Sequence, residues 1–138
     1  MASDNAHLTV EIRTPDGSVF SGGVDRVVTL PGAKAPMGVL RRHAPLMSSL
    51  VMGETRLVDS VGTTWTFVTG PGFVEIYDNR VLMLVDTAED VSEIDIGRAE
   101  QALDRARQRL ARTTADIDRV RAEAALDRAV TRLRHARS

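Results

Sequence analysis

Residues 65–85, WTFVTGPGFVEIYDNRVLMLV, contain three apolar runs separated by two turn sequences. The first run ends at Gly70-Pro71-Gly72, and the second ends at Asp78-Asn79. Short apolar runs bounded by Gly, Pro, Asp and Asn are typical of β-strands joined by tight turns. The segment therefore predicts three consecutive strands, and no helix is needed to explain it.

The sequence before this segment has the same character. Leu8, Val10 and Ile12 alternate with polar residues, which is the period of a half-buried strand. Turn sequences follow at 15–17, 22–23 and 31–32, and a Val-rich run occupies 24–30. Many short strands with Gly and Pro between them indicate an all-β sandwich or barrel. We therefore predict an antiparallel β-sandwich or flattened barrel over residues 1–88.

The pattern changes near residue 90. Ser92 and Asp95 have the Ser-x-x-acid spacing of a capping box, and proline is absent from there to the last residue. Apolar residues recur at helical spacing, stop near Thr113-Thr114 and restart after Asp116, a candidate N-cap. They are Ala99, Leu103, Ala106 and Leu110, then Ala122, Leu126, Ala129 and Leu133. Residues 89–138 are thus predicted to form an antiparallel two-helix hairpin, and the fold class is α+β.

Charge divides the chain near the same place. The total over 138 residues is −1, but residues 1–96 sum to −6 and residues 97–138 sum to +5, with 11 arginines in the second part. The sequence has no cysteine, which excludes disulfides and cysteine-based zinc sites. No apolar run is long enough to span a membrane, and residues 1–5 do not resemble a signal peptide. We expect a soluble protein whose association with a membrane requires a partner.

The predicted hairpin contains an internal repeat. Residues 94–110 and 117–133 are identical at 12 of 17 positions, at an offset of 23. Within the repeat, Arg98, Arg105 and Arg109 share one helix face, as do Arg121, Arg128 and Arg132. Paired helices bring guanidinium groups from both sides towards one anion, and the planar fork of arginine suits phosphate or carboxylate. The simpler interpretation is a solvated face whose acids provide i,i+4 partners.

Catalytic patterns are weak. His7, His43 and His135 belong to no visible triad or metal-ligand spacing, and no Walker-type loop is present. The chain is therefore predicted not to be an enzyme on its own. A nucleic-acid-binding β domain with a basic helical arm is the alternative function. The acidic β region and the mixed charges of the hairpin count against it.

Short motifs in the β region resemble a known family. Met37-Gly38-Val39-Leu40 followed by His43-Ala44-Pro45-Leu46 is similar to the "G-x-x-G-x-L-x-x-H-A-P-L" signature of the epsilon subunit of F-type ATP synthases. Gly72-Phe73-Val74-Glu75-Ile76 resembles the "G-G-F-V-E" strand of that family, and Asp86-Thr87-Ala88-Glu89 follows at the expected distance. Two positions depart from the pattern, at 34–36 and at Pro71.

The resemblance implies a rotating, non-catalytic subunit of the proton-translocating ATP synthase. Its β domain would contact the gamma subunit and the c-ring in the central stalk, which couples proton flow to ATP synthesis. Its hairpin would permit ATP hydrolysis when folded against the β domain and block it when extended towards the alpha and beta subunits. The complex would place the chain on the cytoplasmic face of the bacterial inner membrane.

The resemblance also implies a regulatory ATP site. Family members that bind ATP carry an I/L-D-x-x-R-A motif at the start of the first helix, and residues 94–99 match it in full. The family's ATP-binding positions correspond here to Glu89, Ile94, Asp95, Arg98, Ala99, Arg105, Arg128 and Arg132. No metal and no required cofactor are implied. Residues 117–122 match the motif as well, but the first copy is favoured because it adjoins the β domain; a capped amphipathic helix is the alternative reading.

Overall fold

The computed structural model describes residues 6–32, 35–112 and 116–137, and it divides into two compact units. The first unit ends at Asp90 and the second begins at Val91. The sequence-based boundary after residue 88 falls inside a short strand, Ala88–Asp90, which pairs with an earlier strand of the first unit. Predictions about residues 1–5, Lys34 and Thr113-Thr114 lie outside the described residues.

The first unit is the predicted β-sandwich, built from two five-stranded sheets. Sheet 1 has the strand order β2-β1-β9-β8-β5, and sheet 2 has the order β10-β7-β6-β3-β4. The ten strands are β1 (Leu8–Thr14), β2 (Gly17–Val24), β3 (Arg26–Thr29), β4 (Met37–Leu40), β5 (Leu46–Leu50), β6 (Gly53–Val58), β7 (Thr64–Thr69), β8 (Gly72–Tyr77), β9 (Arg80–Val85) and β10 (Ala88–Asp90). The three strands predicted from residues 65–85 are β7, β8 and β9.

One strand pair departs from the predicted antiparallel arrangement. β1 and β9 run parallel, with Val10 beside Val81 and Ile12 beside Met83. Each of these strands also belongs to an antiparallel hairpin, β1 with β2 and β9 with β8. Sheet 1 is therefore two hairpins joined along one parallel edge, with β5 added at the outer side of β8.

The core lies between the two sheets and is almost wholly aliphatic. Alternate residues of β1, Leu8, Val10 and Ile12, are fully buried, as the period-2 pattern predicts. Among the described residues, the buried polar side chains are Thr29, Thr55 and Thr69, and their hydroxyls form a chain with oxygen–oxygen distances of 2.9 and 2.8 Å. This hydrogen-bonded chain removes the cost of burying three hydroxyl groups in an apolar interior.

The glycine pair at 22–23 was predicted to be a turn, and that prediction is wrong. β2 continues through both glycines to Val24. Gly23 lies against the ring of His7, and a Cβ atom at this position would overlap that ring. Glycine is needed here for close approach of a neighbouring side chain within a strand, which sequence alone does not distinguish from a turn.

The second unit contains a short 3₁₀ turn, Val91–Glu93, followed by helices α1 (Ile96–Arg112) and α2 (Asp116–Arg137). Asp95 is the N-cap of α1, because its carboxylate Oδ1 accepts a hydrogen bond from the backbone N–H of Arg98 at 3.1 Å. The predicted capping box beginning at Ser92 is thus wrong in position. Residues 91–93 form the 3₁₀ turn instead, and the helix starts three residues later than that box requires.

Candidate functional site

The two helices of the second unit pack along a seam of small side chains. Ala99 and Ala106 of α1 are buried, as are Ala122, Ala129 and Leu133 of α2. α1 and α2 contact each other extensively, and α2 also contacts the 3₁₀ turn that precedes α1, as expected for an antiparallel hairpin. Alanine at seven-residue spacing on both helices allows their backbones to approach closely.

The repeat places equivalent residues of the two helices on equivalent faces. The buried alanines of α2 lie 23 positions after those of α1, which is the offset of the repeat. Two antiparallel helices that present the same face to each other are related by an approximate twofold axis perpendicular to the seam. Such an axis keeps matching flanks of the two helices on the same side of the hairpin.

Arginines occupy one of these flanks. Each of the four buried alanines is preceded by an arginine, so these arginines lie about 100° from the seam on the same side of their helix. Arg109 and Arg132 extend the two rows by one turn. We call the resulting surface the arginine face; it consists of Arg98, Arg105, Arg109, Arg121, Arg128 and Arg132. Glu100 and Glu123 follow a buried alanine and therefore lie on the opposite flank.

The arginine face is open to solvent. Five of its six arginines are exposed, and Arg132 is half-buried. The side chains of Arg98, Arg105 and Arg128 form no ion pair with another residue in the described part of the chain. These guanidinium groups are therefore available to an external anion.

The structure brings together part of the predicted ATP site. Because the hairpin is antiparallel, Arg98 in the first turn of α1 lies at the level of Arg128 and Arg132 near the end of α2. Arg105 lies on the same face but two turns further along α1, about 10 Å from the level of Arg98. The three arginines at one end of the hairpin form the tightest part of the set.

Three other predicted residues have structural roles in the helical unit. Ile94 and Ala99 are buried, and Asp95 caps α1. These are the roles expected in a capped amphipathic helix, the simpler interpretation. The three residues have them whether or not a nucleotide binds. In the second copy, Asp118 lies inside α2, which begins at Asp116, so only the first copy has its aspartate at a helix N-cap.

Glu89 belongs to the other unit. It is half-buried in β10 and stands opposite Val68 of β7. The sequence predicts Glu89 as the first residue of the helical region. It does not predict strand β10 there, because three residues are too few for a recognisable alternation. Its role in the candidate site stays a prediction.

The first unit carries a second candidate surface, which the sequence interpretation did not identify. Met47, Phe73 and Leu84 are 68%, 60% and 50% exposed, and together with Leu82 they line a shallow groove on the outer face of sheet 1. Phe73 of β8 stands beside Leu84 of β9. We call these four residues the apolar patch. The signal was present in the continuous apolar run of β9, which is typical of a strand covered on both faces.

Charged residues lie within and beside the apolar patch. Glu75 lies between Met47 and Leu82 in the strand register. On the neighbouring strand β1, Glu11 and Arg13 stand beside Leu82 and Leu84 and form an ion pair of 3.8 Å. Apolar and charged side chains side by side are common in protein–protein interfaces.

The family-like segments around Gly72 and Asp86 contact each other through the backbone. The backbone N–H of Gly70 donates to the carbonyl of Thr87 at 2.9 Å, and the N–H of Asp86 donates to the carbonyl of Pro71 at 3.0 Å. A Cβ atom at Gly72 would collide with the backbone of Leu84. Proline fits at position 71 because the residue there contributes its carbonyl to the hydrogen bond with Asp86, and no backbone N–H is required for that bond.

Neither a metal centre nor a membrane-spanning helix is evident in the described residues. Over 6–32, 35–112 and 116–137, no three histidine, aspartate or glutamate side chains are grouped to hold a metal ion. Within the same ranges, no helix combines the length and apolar character needed to cross a bilayer.

Two family models together match residues 7–137 of the chain. Residues 7–91 match the β-sandwich domain of the ATP synthase delta/epsilon chain, and residues 92–137 match its long α-helix domain. Their junction falls within one residue of the division between the two compact units.

Curated relatives and solved structures agree with these models. An ATP synthase epsilon chain from Pelotomaculum thermopropionicum is 48% identical over 76% of this chain and 77% of its own length. An ATP synthase epsilon chain from Nitratidesulfovibrio vulgaris is 45% identical over 75% of this chain and 76% of its own length. The fold is shared with a chain of the Euglena gracilis mitochondrial ATP synthase, at TM-score 0.78, 22% identity and 91% and 79% coverage. A chain from the Tetrahymena thermophila mitochondrial ATP synthase central stalk and c-ring has TM-score 0.67, 15% identity and 97% and 99% coverage. The chain therefore belongs to the ATP synthase delta/epsilon family, among its epsilon chains.

Proposed function

We propose that this chain is a non-catalytic part of the rotating central stalk, where it contacts the gamma subunit and the c-ring and couples proton flow to ATP synthesis. Its helical hairpin restrains ATP hydrolysis, and ATP binds the hairpin as a regulatory ligand. In a bacterial cell the complex holds the chain at the cytoplasmic face of the inner membrane. Family membership supports the place in the stalk, and the two surfaces described above support the division of roles.

The apolar patch supports a docking role for the β unit. Exposed apolar residues scattered singly are common on proteins, but adjacent ones on a sheet face usually mark an interaction site. Met47, Phe73 and Leu84 come from three neighbouring strands and form one continuous surface. A stalk subunit must transmit torque through its contacts, and a rigid sheet is a suitable platform for such a contact.

The seam supports a hairpin that changes its arrangement. Its buried residues are mainly alanines, and burial stabilises by about 0.8 kcal/mol per CH₂ group, so alanine contributes less than leucine or isoleucine. Weak packing leaves alternative arrangements close in free energy, and a ligand that binds one of them shifts the population. The net charge of residues 97–138, +5, also favours contact with acidic surfaces of the alpha and beta subunits.

The observation that carries the ATP proposal is the group of arginines from both helices at the start of α1. Arg98, Arg128 and Arg132 lie at one level of the hairpin, and the first motif copy lies beside them. Phosphate oxygens would accept hydrogen bonds from these guanidinium groups. The segment at Ile94 and Asp95 would face the adenine, as the resemblance implies.

Titration of the full chain with ATP tests this proposal. Calorimetry is expected to give one ATP per chain, and Arg98→Ala and Arg128→Ala are each expected to weaken binding at least tenfold. Arg107→Ala is the matched control, because Arg107 follows Ala106 and so lies on the opposite flank of α1. Absence of ATP binding at millimolar concentration, or an equal loss in the control, would overturn the regulatory site.

The nucleic-acid alternative is not favoured. Every family model and curated relative given above is an ATP synthase chain, and the first unit shows an apolar patch where a nucleic-acid surface would be basic.

A further inference from the structure

One carboxylate lies inside the apolar patch, at Glu75 of β8. In the strand register this residue stands between Met47 of β5 and Leu82 of β9. Along its own strand, Phe73 and Tyr77 are two positions away and therefore lie on the same face of the sheet. Both aromatic side chains are well exposed, at 60% and 62%. Four large uncharged side chains thus surround one charged group.

The charge of Glu75 is not compensated within the described part of the chain. Its carboxylate is exposed and forms no hydrogen bond or ion pair with another described residue. Arg80 is diagonal to Glu75 in the register, about 7 Å away between Cβ atoms, and the two form no ion pair. Glu11 differs, because it is ion-paired with Arg13 on β1. In the free chain, solvent is therefore what stabilises the charge of Glu75.

Docking through the apolar patch removes that solvent. A surface that covers both Met47 and Leu82 also covers Glu75 between them, because neighbouring strands are only about 4.8 Å apart. A buried carboxylate without a partner strongly opposes binding. A buried carboxylate that is paired and hydrogen-bonded instead fixes the register of the contact and excludes wrong partners. An interface at this face therefore needs a cation beside Glu75.

We propose that Glu75 determines the specificity of this interface, and that the stalk partner inserts one basic side chain between Met47 and Leu82 to pair with it. The partner surface is then apolar with a single basic group at its centre. Arginine suits this position best, because its fork binds a carboxylate through two hydrogen bonds and its aliphatic stem packs on apolar side chains. This inference rests on the proposed docking role of the apolar patch and adds the chemistry of the partner.

The experiment is a binding titration of the full chain with a synthase core from which this chain has been removed. Glu75→Gln keeps the size of the side chain and removes its charge, so the basic group of the partner stays buried and unpaired. Binding is expected to weaken at least about 30-fold, mainly through faster dissociation. Glu75→Asp retains the charge on a shorter side chain and is expected to recover part of the affinity.

Glu11→Gln is the matched control. It makes the same chemical change in the same row of the sheet face, but at the side of the patch and at a glutamate that already has Arg13 as its partner. Its dissociation rate is expected to stay close to that of the wild type, because a charge at the side of an interface acts mainly on the association rate. Equally fast dissociation of the Glu11→Gln and Glu75→Gln chains would overturn the special role of Glu75.

Phe73→Asp, measured beside these variants, separates this inference from the docking role itself. Weaker binding of Phe73→Asp with unchanged affinity of Glu75→Gln would overturn the basic partner group and leave the patch as the docking surface. Unchanged affinity of both variants, with both chains folded, would overturn the docking surface and this inference together.

Arg80→Gln tests whether the chain itself provides the cation when it binds. The affinity of this variant is expected to be largely unchanged. A loss as large as that of Glu75→Gln, which does not add to it in the double variant, would show that Arg80 turns to Glu75 in the complex. That outcome would overturn the basic group of the partner.

Discussion

Asp95 shows how one residue of a ligand-binding motif also has a structural function. Its carboxylate closes the first turn of α1 through the backbone N–H of Arg98, and its own carbonyl accepts from Ala99 at 3.0 Å. The aspartate thus sets where the helix begins and how Arg98 is presented. A substitution at this position that affects ATP binding must be separated from loss of the cap.

We expect Asp95→Ala to destabilise the helical unit by about 1 kcal/mol, because the N–H of Arg98 loses its acceptor. Asp95→Asn is expected to retain most of the stability, since asparagine caps helices about as well as aspartate. Amide hydrogen exchange at Arg98 in the full chain measures the effect. Asp104→Ala, at an exposed position inside α1, is the control and should leave this exchange unchanged. Equal protection of the Arg98 amide in Asp95→Ala would contradict the capping role.

At the scale of elements, sheet 1 has one face in the core and one face that is partly apolar. β8 and β9 place Val74, Ile76, Val81 and Met83 in the core and Phe73 and Leu84 on the outside. Such strands are expected where a second layer covers the sheet. Under the proposed function, this covering layer is a stalk partner of the β unit.

We expect Phe73→Asp to weaken binding of the chain to a synthase core from which this chain has been removed. The substitution removes a central aromatic side chain and puts a charge into an apolar contact. Central aromatic residues contribute about 2 kcal/mol or more to the binding free energy, which is about 30-fold in affinity. A binding titration with the purified core gives this value. Val61→Asp is the matched control, because Val61 is 83% exposed in the loop between β6 and β7 and should leave affinity unchanged. Equal affinity of Phe73→Asp and wild type, with both chains folded, would show that the patch is not the docking surface.

The seam and the arginine face show what a helical repeat can predict. Eight apolar positions were predicted to line the two helices. The four alanines and Leu133 are buried, whereas Leu103, Leu110 and Leu126 are half-buried. The arginine rows follow from the same periodicity. The predicted helix start at Ser92 is wrong because a Ser-x-x-acid spacing also occurs in turns. Local sequence does not show which side chain accepts a hydrogen bond from a free backbone N–H.

At the scale of the whole molecule, the strands with strict alternation or clear turn residues were predictable from sequence. No strand was predicted at β4, β5, β6 or β10; β4, β5 and β10 are short, and the partners of β5 and β10, which are β8 and β7, lie far away in the chain. The parallel pairing of β1 with β9 depends on long-range packing in the same way. The apolar patch was not predicted because a continuous apolar run such as residues 81–85 does not show which of its side chains face the core, and only burial separates its two faces.

The two-unit division underlies the proposed function. The hydrophobic core of the sandwich lies entirely within the first unit, so removal of the hairpin leaves that core complete. The opposing net charges, −6 over residues 1–96 and +5 over 97–138, fit two parts with different partners. A stalk subunit with a separate regulatory element is the simplest account of these features.

The most direct test of this account is ATP hydrolysis by the assembled synthase carrying the chain without residues 92–138. The account predicts a higher hydrolysis rate than with the full chain, and an equal amount of the truncated chain retained in the purified complex. An unchanged hydrolysis rate in a complex that retains the truncated chain would contradict the role of the hairpin.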